Sequence, residues 1–320
     1  MKLSTQTAPA VHTRGMPVTG QAQNDLFHIV FNINRGGMAG FGATLTSLIR
    51  HCSATDQLMM HIMCSRLDER HKELIRTTLH NLGYRGGVRL IDYDADRAFR
   101  HLPALLGDLT TYGRLLIPDY VDASRVLYLD SDLIVSCDVL TLKAVELGDH
   151  LLGAITRSTV AYSLDQDCLL GIGCEADMPY FNAGILLIDL SRWRQLDIDA
   201  RWREIASSQA EKLTCCDQTL LNAICRGNFH RLPPQYNTPS LANRGDDEHF
   251  RGGILHFLGS PKPWDPGGRQ LHRGYAAWKA HSDLSWEHEF HRFGLGRLRR
   301  GWQIRRSLLR TILQRWRNSG

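Results

Sequence analysis

No uninterrupted apolar run in this chain approaches the length a helix needs to cross a bilayer, so no membrane span is expected. Its eight cysteines (52, 64, 137, 168, 174, 215, 216 and 225) include no C-x-x-C pair and no even spacing, which argues against a disulfide framework or a zinc site. Several, Cys64 and Cys137 among them, lie inside or beside apolar runs and read as buried thiols, a usage that favours a reducing compartment. The opening MKLSTQTAPAVHTRG has no apolar segment of the kind a secretory signal needs, so a cytoplasmic protein is expected. Internal repeats and heptad arrays are absent too. Acid is missing from the last stretch, Arg292 to Gly320, which holds nine arginines and no Asp or Glu. That stretch carries +9, and with a net charge of +5 for the whole chain the remainder stands at −4. The basic character belongs to a tail and not to the body, and no nucleic-acid partner is expected.

What is present is ordinary for a globular protein: 320 residues, 43% hydrophobic and 22% charged, enough for one large α/β domain or two smaller ones. Residues 1–25 are rich in Thr, Gln, Ala and Pro without periodicity and are expected to be disordered. FHIVFNI (27–33), LMMHIMCS (58–65) and VRLIDY (88–93) read as buried strands. Helical patterns lie between them over 41–52 and 67–82. This β-α-β-α-β order predicts a mostly parallel sheet with covering helices. TTYGRLLIPDYV (110–121) reads as a helix until Pro118. HLLGAIT (150–156), YFNAGILLIDL (180–190) and ILHFLG (254–259) are further strands, with helices over 191–211 and 217–226 and a loop over 237–253.

RVLYLDSDL (125–133) ends an apolar strand in two carboxylates, where ionised groups are expensive unless water or a cation meets them. Asp130 and Asp132 can converge whether the chain stays extended or turns, and offer hard oxygen ligands for Mg²⁺ or Mn²⁺. A bare D-x-D, a short and common pattern, is more often the solvated end of a strand with an Asp capping the next turn. His256, inside ILHFLG, is by itself more often a hydrogen-bonded core histidine. Its sequel changes the odds: Gly259 permits close backbone approach, Lys262 supplies a point charge for phosphate, and Pro261 and Pro263 stiffen the loop. A metal ligand followed by a phosphate-sized cradle suits a diphosphate. Asn182 reads as a turn residue or a sugar contact, Asp217 as a helix N-cap or, with Gln218, a hydroxyl-binding pair. Arg114 is a surface arginine unless its helix faces the rim. In an open α/β sheet such groups gather beyond the carboxyl ends of the strands.

RVLYLDSDLIV, YFNAGILLIDLSRW, CDQTLLNAI and HFLGSPKPW, in this order and at these separations, resemble glycosyltransferase family 8, retaining enzymes of the GT-A fold that use sugar nucleotides. The resemblance runs from about Phe27 to Trp264 and is closest to bacterial lipopolysaccharide and lipooligosaccharide galactosyl- and glucosyltransferases. It implies a Rossmann-like, mixed but mostly parallel sheet flanked by helices over 26–290, followed by a basic C-terminal helix over 291–320. It also implies that Asp130, Asp132 and His256 bind Mn²⁺ (or Mg²⁺) with the donor diphosphate, and that Gly259 and Lys262 touch that diphosphate. Arg114 would reach the donor sugar. Asn182, Asp217 and Gln218 would line the sugar pocket as the catalytic group, Gln218 near the anomeric carbon. Asn32, Asn34 and Ser131 complete the donor-binding set, with a UDP-sugar as donor.

The first strand departs from the family pattern. FNINRGGMAG has Asn34 where the family places an acid and Gly36-Gly37 in place of an Asn-Tyr pair, which removes a stacking platform for the base. Arg35 is a substitute by stacking or by touching the diphosphate. The segment between Thr156 and Pro179 does not align, so the family's sugar-reading Asp has no counterpart there. In the tail, Leu298, Trp302, Leu309, Ile312 and Trp316 recur at near-helical spacing with arginines between them. This pattern suits an anionic membrane surface, with docking on the body through that stripe, or a nucleic-acid patch, as the other readings. The function expected is a metal-dependent retaining transfer of galactose or glucose from a UDP-sugar to a saccharide acceptor on a lipid-linked glycan such as lipopolysaccharide core. The setting would be cytoplasmic, peripheral on the inner face of the plasma membrane. The competing readings are a catalytically silent sugar-nucleotide-binding scaffold and a nucleotidyltransferase.

Overall fold

A computed structural model describes residues 26–105, 107–242, 250, 252–290 and 294–318, with side chains through residue 314. The expectation of disorder over residues 1–25 lies outside the described residues, as does most of the stretch 243–251. The first three strands are β1 (Phe27–Asn34), β2 (Leu58–Ser65) and β3 (Gly87–Tyr93), separated by helices Met38–His51 and Glu69–Asn81. Next come β4 (Arg125–Leu129), β5 (Leu133–Val135), β6 (Leu152–Ala154) and β7 (Thr156–Thr159). β8 (Pro179–Phe181), β9 (Ile185–Asp189), β10 (His230–Arg231), β11 (Thr238–Ser240) and β12 (Ile254–Phe257) complete the set.

Seven strands form the main sheet in the order β10-β6-β9-β4-β1-β2-β3, parallel at every contact except the two made by β9. Alternation along the central strands sends side chains to two cores. Val30, Tyr128 and Leu186 pack on one face, and Phe31, Leu129 and Ile185 on the other. Both faces are covered, which is why β1, β2 and β4 read as continuous apolar runs. The register Phe31↔Leu129↔Ile185 brings the carboxyl end of β4 level with the amino end of β9, while β1 runs on beyond them to Asn34. A second sheet, β11-β12-β5, pairs His256 with Leu133 and Pro239, and so lays the late strand beside the D-x-D turn.

Three expectations change. Pro118 does not end a helix: a 3₁₀ segment, Thr110–Leu116, leads into a short helix, Ile117–Tyr120, with the proline in its first turn, where its missing N–H costs nothing. YFNAGILLIDL is not one strand, because Asn182-Ala183-Gly184 breaks it into β8 and β9. The tail is not one helix but two, Leu295–Gln303 and Arg305–Asn318, meeting at Ile304. Ile304 and Thr311 are buried, so the tail docks through a stripe other than the one the spacing picks out. Leu298, Trp302, Leu309 and Ile312 face outward, and the Trp316 side chain lies outside the described residues. The eight cysteines are unpaired; Cys64 is buried and Cys137 half-buried. No described helix is long and apolar enough to cross a membrane.

Candidate active site

The turn after β4 is stitched on both sides. Asp130 N–H donates to Gly184 O (2.8 Å), and Asp132 O accepts from Phe257 N–H (3.0 Å). One ligand atom each from Asp130, Asp132 and His256 lies within 4.8 Å of the others. His256 Nε2 is 3.2 Å from Asp132 Oδ1 and 3.8 Å from Asp130 Oδ2. Gly184 makes room for this cluster. A Cβ there would stand 2.3 Å from His256 Cε1 and 2.8 Å from Asp130 Oδ2, so no other residue fits.

The direction of the imidazole follows from two backbone donors. Ala183 N–H donates to Gln218 Oε1 (2.9 Å) and Gly184 N–H to Asn182 Oδ1 (3.1 Å), which sets the orientation of both amides. Asn182 Nδ2 then donates to Gln218 Oε1 (2.9 Å), and Asn182 Oδ1 also accepts from Asn237 Nδ2 (3.0 Å). Asn237 must therefore turn its Oδ1 to His256 Nδ1, 3.0 Å away, and the proton lies on Nδ1. Nε2 is left facing the carboxylates. At the far end Gln218 Nε2 donates to Tyr180, whose hydroxyl donates to Asp165, a fully buried acid. Asp165 also accepts from Cys215 N–H (2.9 Å) and Thr219 Oγ1 (2.7 Å). These bonds hold Cys216 at φ +56°, a strained conformation, immediately before Asp217.

The residues present fit a divalent cation. Asp132 Oδ1 is buried and accepts no hydrogen bond, and two carboxylates with one imidazole nitrogen form a donor set suited to Mn²⁺ or Mg²⁺. Two permanent cations flank the set. Lys262 Nζ donates to Asp132 Oδ2 (2.7 Å) and to Phe257 O. Burial raises the Asp132 carboxyl, but the charge of its neighbours, Lys262 first, outweighs it and holds the group below the usual carboxylate range. Arg114, expected to reach the donor sugar, is buried with its nitrogens committed: Nε to Asp217 (2.7 Å), one terminal nitrogen to Asp130 (3.0 Å) and the other to Ala183 O. It lies 4.4 Å over the Tyr128 ring, and burial opposed by these acids leaves its pKa raised. Asp217 is not an N-cap; its carboxylate accepts from Thr111 and pairs with Arg114. Burial nevertheless pushes it up to about 6.

A cavity of about 1070 Å³ opens beside the cluster, lined by Asn32, Asn34, Arg114, Asp130, Ser131, Asp132 and Lys262. Asn32 spends its amide on Tyr93 Oη and Thr110 O, and Asn34 donates to Asp108 and Thr110 while accepting from Gly37 N–H. Asp108 thus stands beside Asn34 and supplies an acid to the rim that β1 itself lacks. Gly259 does not line this cavity; its φ of +66° shapes the turn toward Lys262. A second cavity of about 310 Å³ is lined by Asn182, Gln218, Asn237, Tyr180, Tyr162 and Leu164, the last two 87% and 79% exposed. Asp108, Asp165, Tyr180 and Asn237 had no signal in the sequence: each sits in an aperiodic stretch or looks like an ordinary loop or strand residue.

The chain matches the family described as Glycosyl transferase family 8 over residues 28–267. It is 29% identical over 181 residues to a probable glycosyl transferase Gly of Streptococcus gordonii, covering 55% of this chain and 24% of that one. It is 26% identical over 250 residues to glycosyltransferase GlyF of Streptococcus pneumoniae serotype 4, covering 75% of this chain and 56% of that one. The chain thus spans about a quarter and about half of these relatives. Among solved structures, the galactosyltransferase LgtC in complex with donor and acceptor sugar analogues superposes with a TM-score of 0.68 at 24% identity, over 82% of this chain and all of that one. At that identity the likeness shows the fold, GT-A.

Proposed function

The chain belongs to glycosyltransferase family 8 and is a glycosyltransferase; from that premise we propose a metal-dependent retaining hexosyltransferase that moves galactose or glucose from a UDP-sugar to a saccharide acceptor. The single observation that carries this reading is the Asp130–Asp132–His256 cluster standing beside Lys262 at the wall of the larger cavity. Asp130, Asp132 and His256 would hold Mn²⁺ or Mg²⁺, which when bound supplies charge stabilisation to a departing diphosphate. Lys262 adds a cation to the same developing charge. Arg114 acts on the reaction through Asp130 and Asp217, which it holds in place. The smaller cavity, with Tyr162 and Leu164 at its lip, would take the acceptor, an aromatic and an apolar side chain offering faces to a pyranose ring.

The donor's C1–O bond to phosphate breaks as the acceptor oxygen bonds to C1, and the acceptor proton passes to the leaving phosphate. Asp217 is engaged by Arg114 and Thr111, and the Gln218 amide by Ala183, Asn182 and Tyr180, so neither stands free as a nucleophile. This supports same-face displacement over a covalent route. The acceptor is a lipid-linked glycan such as lipopolysaccharide core, presented at an anionic membrane that the tail meets through outward Leu298, Trp302, Leu309 and Leu313.

A thermal-shift screen against sugar nucleotides, with and without Mn²⁺, tests the donor assignment. UDP-galactose or UDP-glucose should raise Tm only when Mn²⁺ is present. Stabilisation only by a donor with another base would overturn it.

A further inference from the structure

The first helix of the tail is a wall of the larger cavity. Gly296, Arg297, Arg299, Arg300 and Gln303 line the same space as Asp130, Asp132 and Lys262. Positions 296, 300 and 303 recur at helical spacing and turn one face inward. Leu295, Leu298 and Trp302, at 85%, 53% and 69% exposed, occupy the other. This inverts the usual amphipathic arrangement, in which the apolar face meets the body.

The helix is tied to the phosphate cradle by one buried acid. Arg300 grips Asp265, 5% exposed, with two bonds (Nε to Oδ1, 2.8 Å; a terminal nitrogen to Oδ2, 3.0 Å). Asp265 Oδ2 also accepts the Lys262 N–H at 2.8 Å. Arg300 thereby fixes the turn that carries Lys262. Elsewhere in the cavity Lys262 is paired with Asp132, Arg114 with Asp130 and Asp217, and Glu289 with Arg70. Arg297, which donates to Trp264 O, Arg299, and Arg35 from the turn after β1 line the cavity without an ion pair to any acid among the described residues. Guanidinium groups left over in a cavity after its acids are paired make a receptor for an anion.

We propose that the helix Leu295–Gln303 is part of the donor site: Arg297 and Arg299 bind the nucleoside diphosphate, and Arg300 is a positioning residue for Lys262. The assignment rests on the reading of the cavity as a nucleotide-sugar site. It gives the tail two jobs on two faces, so removing residues 292–320 would lose donor affinity along with any membrane affinity.

The test is titration of the full chain with UDP in the presence of Mn²⁺, with Mn²⁺ alone in parallel. Arg297→Gln/Arg299→Gln alters exposed or half-buried positions and should weaken UDP binding at least about tenfold, equivalent to about 1.4 kcal/mol. Mn²⁺ binding alone should stay unchanged, and the loss should shrink as salt rises. Leu298→Glu/Trp302→Glu, on the outward face, should keep wild-type UDP affinity while losing anionic phosphatidylglycerol vesicles. Equal UDP affinity in wild type and Arg297→Gln/Arg299→Gln overturns the proposal, as does a parallel loss of Mn²⁺ binding, which would mark a disturbed fold. Wild type that binds Mn²⁺ but no UDP would instead sink the nucleotide-sugar reading itself.

Discussion

One wall of the larger cavity holds Asp130 and Asp132, which with His256 end a hydrogen-bonded chain that runs through Asn237, Asn182, Gln218 and Tyr180 to Asp165. Another wall holds Arg297 and Arg299 on a helix whose opposite face is exposed, anchored by Arg300 on Asp265. The first is directional: two backbone N–H groups dictate the orientation of every amide and leave no freedom at the imidazole. The second works by charge, which needs no fixed geometry and is screened by salt. A cation between two carboxylates demands angstrom-level placement, whereas a diphosphate entering a cavity is caught by any guanidinium within reach. Precision is concentrated where the chemistry needs it.

The largest effect expected at the directional wall is a pH effect. Asp217 is pushed up to about 6 from an ordinary 3.8, so the folded chain holds its proton more tightly than the unfolded chain. Its contribution to stability is full below the unfolded value and is lost as pH rises through 6. In denaturant unfolding, the stability of wild type relative to Asp217→Asn should fall by up to about 3 kcal/mol between pH 3.5 and 7. A difference that does not change with pH would show that burial does not strain this carboxylate and would blur the contrast between the walls.

A smaller effect separates the walls more sharply. Asn237→Ala removes the acceptor that fixes the His256 proton on Nδ1, and second-sphere losses of this kind cost about 10- to 100-fold in metal affinity. Calorimetric titration with Mn²⁺ should show that drop in Asn237→Ala and none in Arg297→Gln/Arg299→Gln. Equal losses in both would mean that the two walls form one cooperative unit.

The parts legible in the sequence are those where local pattern and tertiary role coincide. β2 runs over 58–65 as its apolar run predicts, and the acids ending β4 stand where the run gives out, because a buried strand must change composition at the surface. His256, on β12, and Lys262, in the turn that follows, were singled out by the Gly and Pro residues between and beside them. Asn237 and Asp108 were not: each acts through a partner 19 or 74 residues away, and a polar residue in an aperiodic loop carries no mark of which partner the fold will bring. The tail was legible as amphipathic, and the stripe read as suited to a membrane does face outward, but the face that docks on the body was not legible. Apolar spacing alone cannot say which side meets the body when Arg300 has a buried acid waiting for it.

The most direct test of the central claim is turnover of UDP-galactose and UDP-glucose with Mn²⁺, comparing wild type with Asp130→Ala/Asp132→Ala and identifying the nucleotide released. Wild type should release UDP, and the variant should be slower by at least about a hundredfold. Release of pyrophosphate from UTP and galactose 1-phosphate, offered in parallel, with no UDP released from the UDP-sugars, would make the chain a nucleotidyltransferase. UDP release at equal rates in both proteins, or in neither, would contradict a metal-dependent transferase built on this pair of carboxylates.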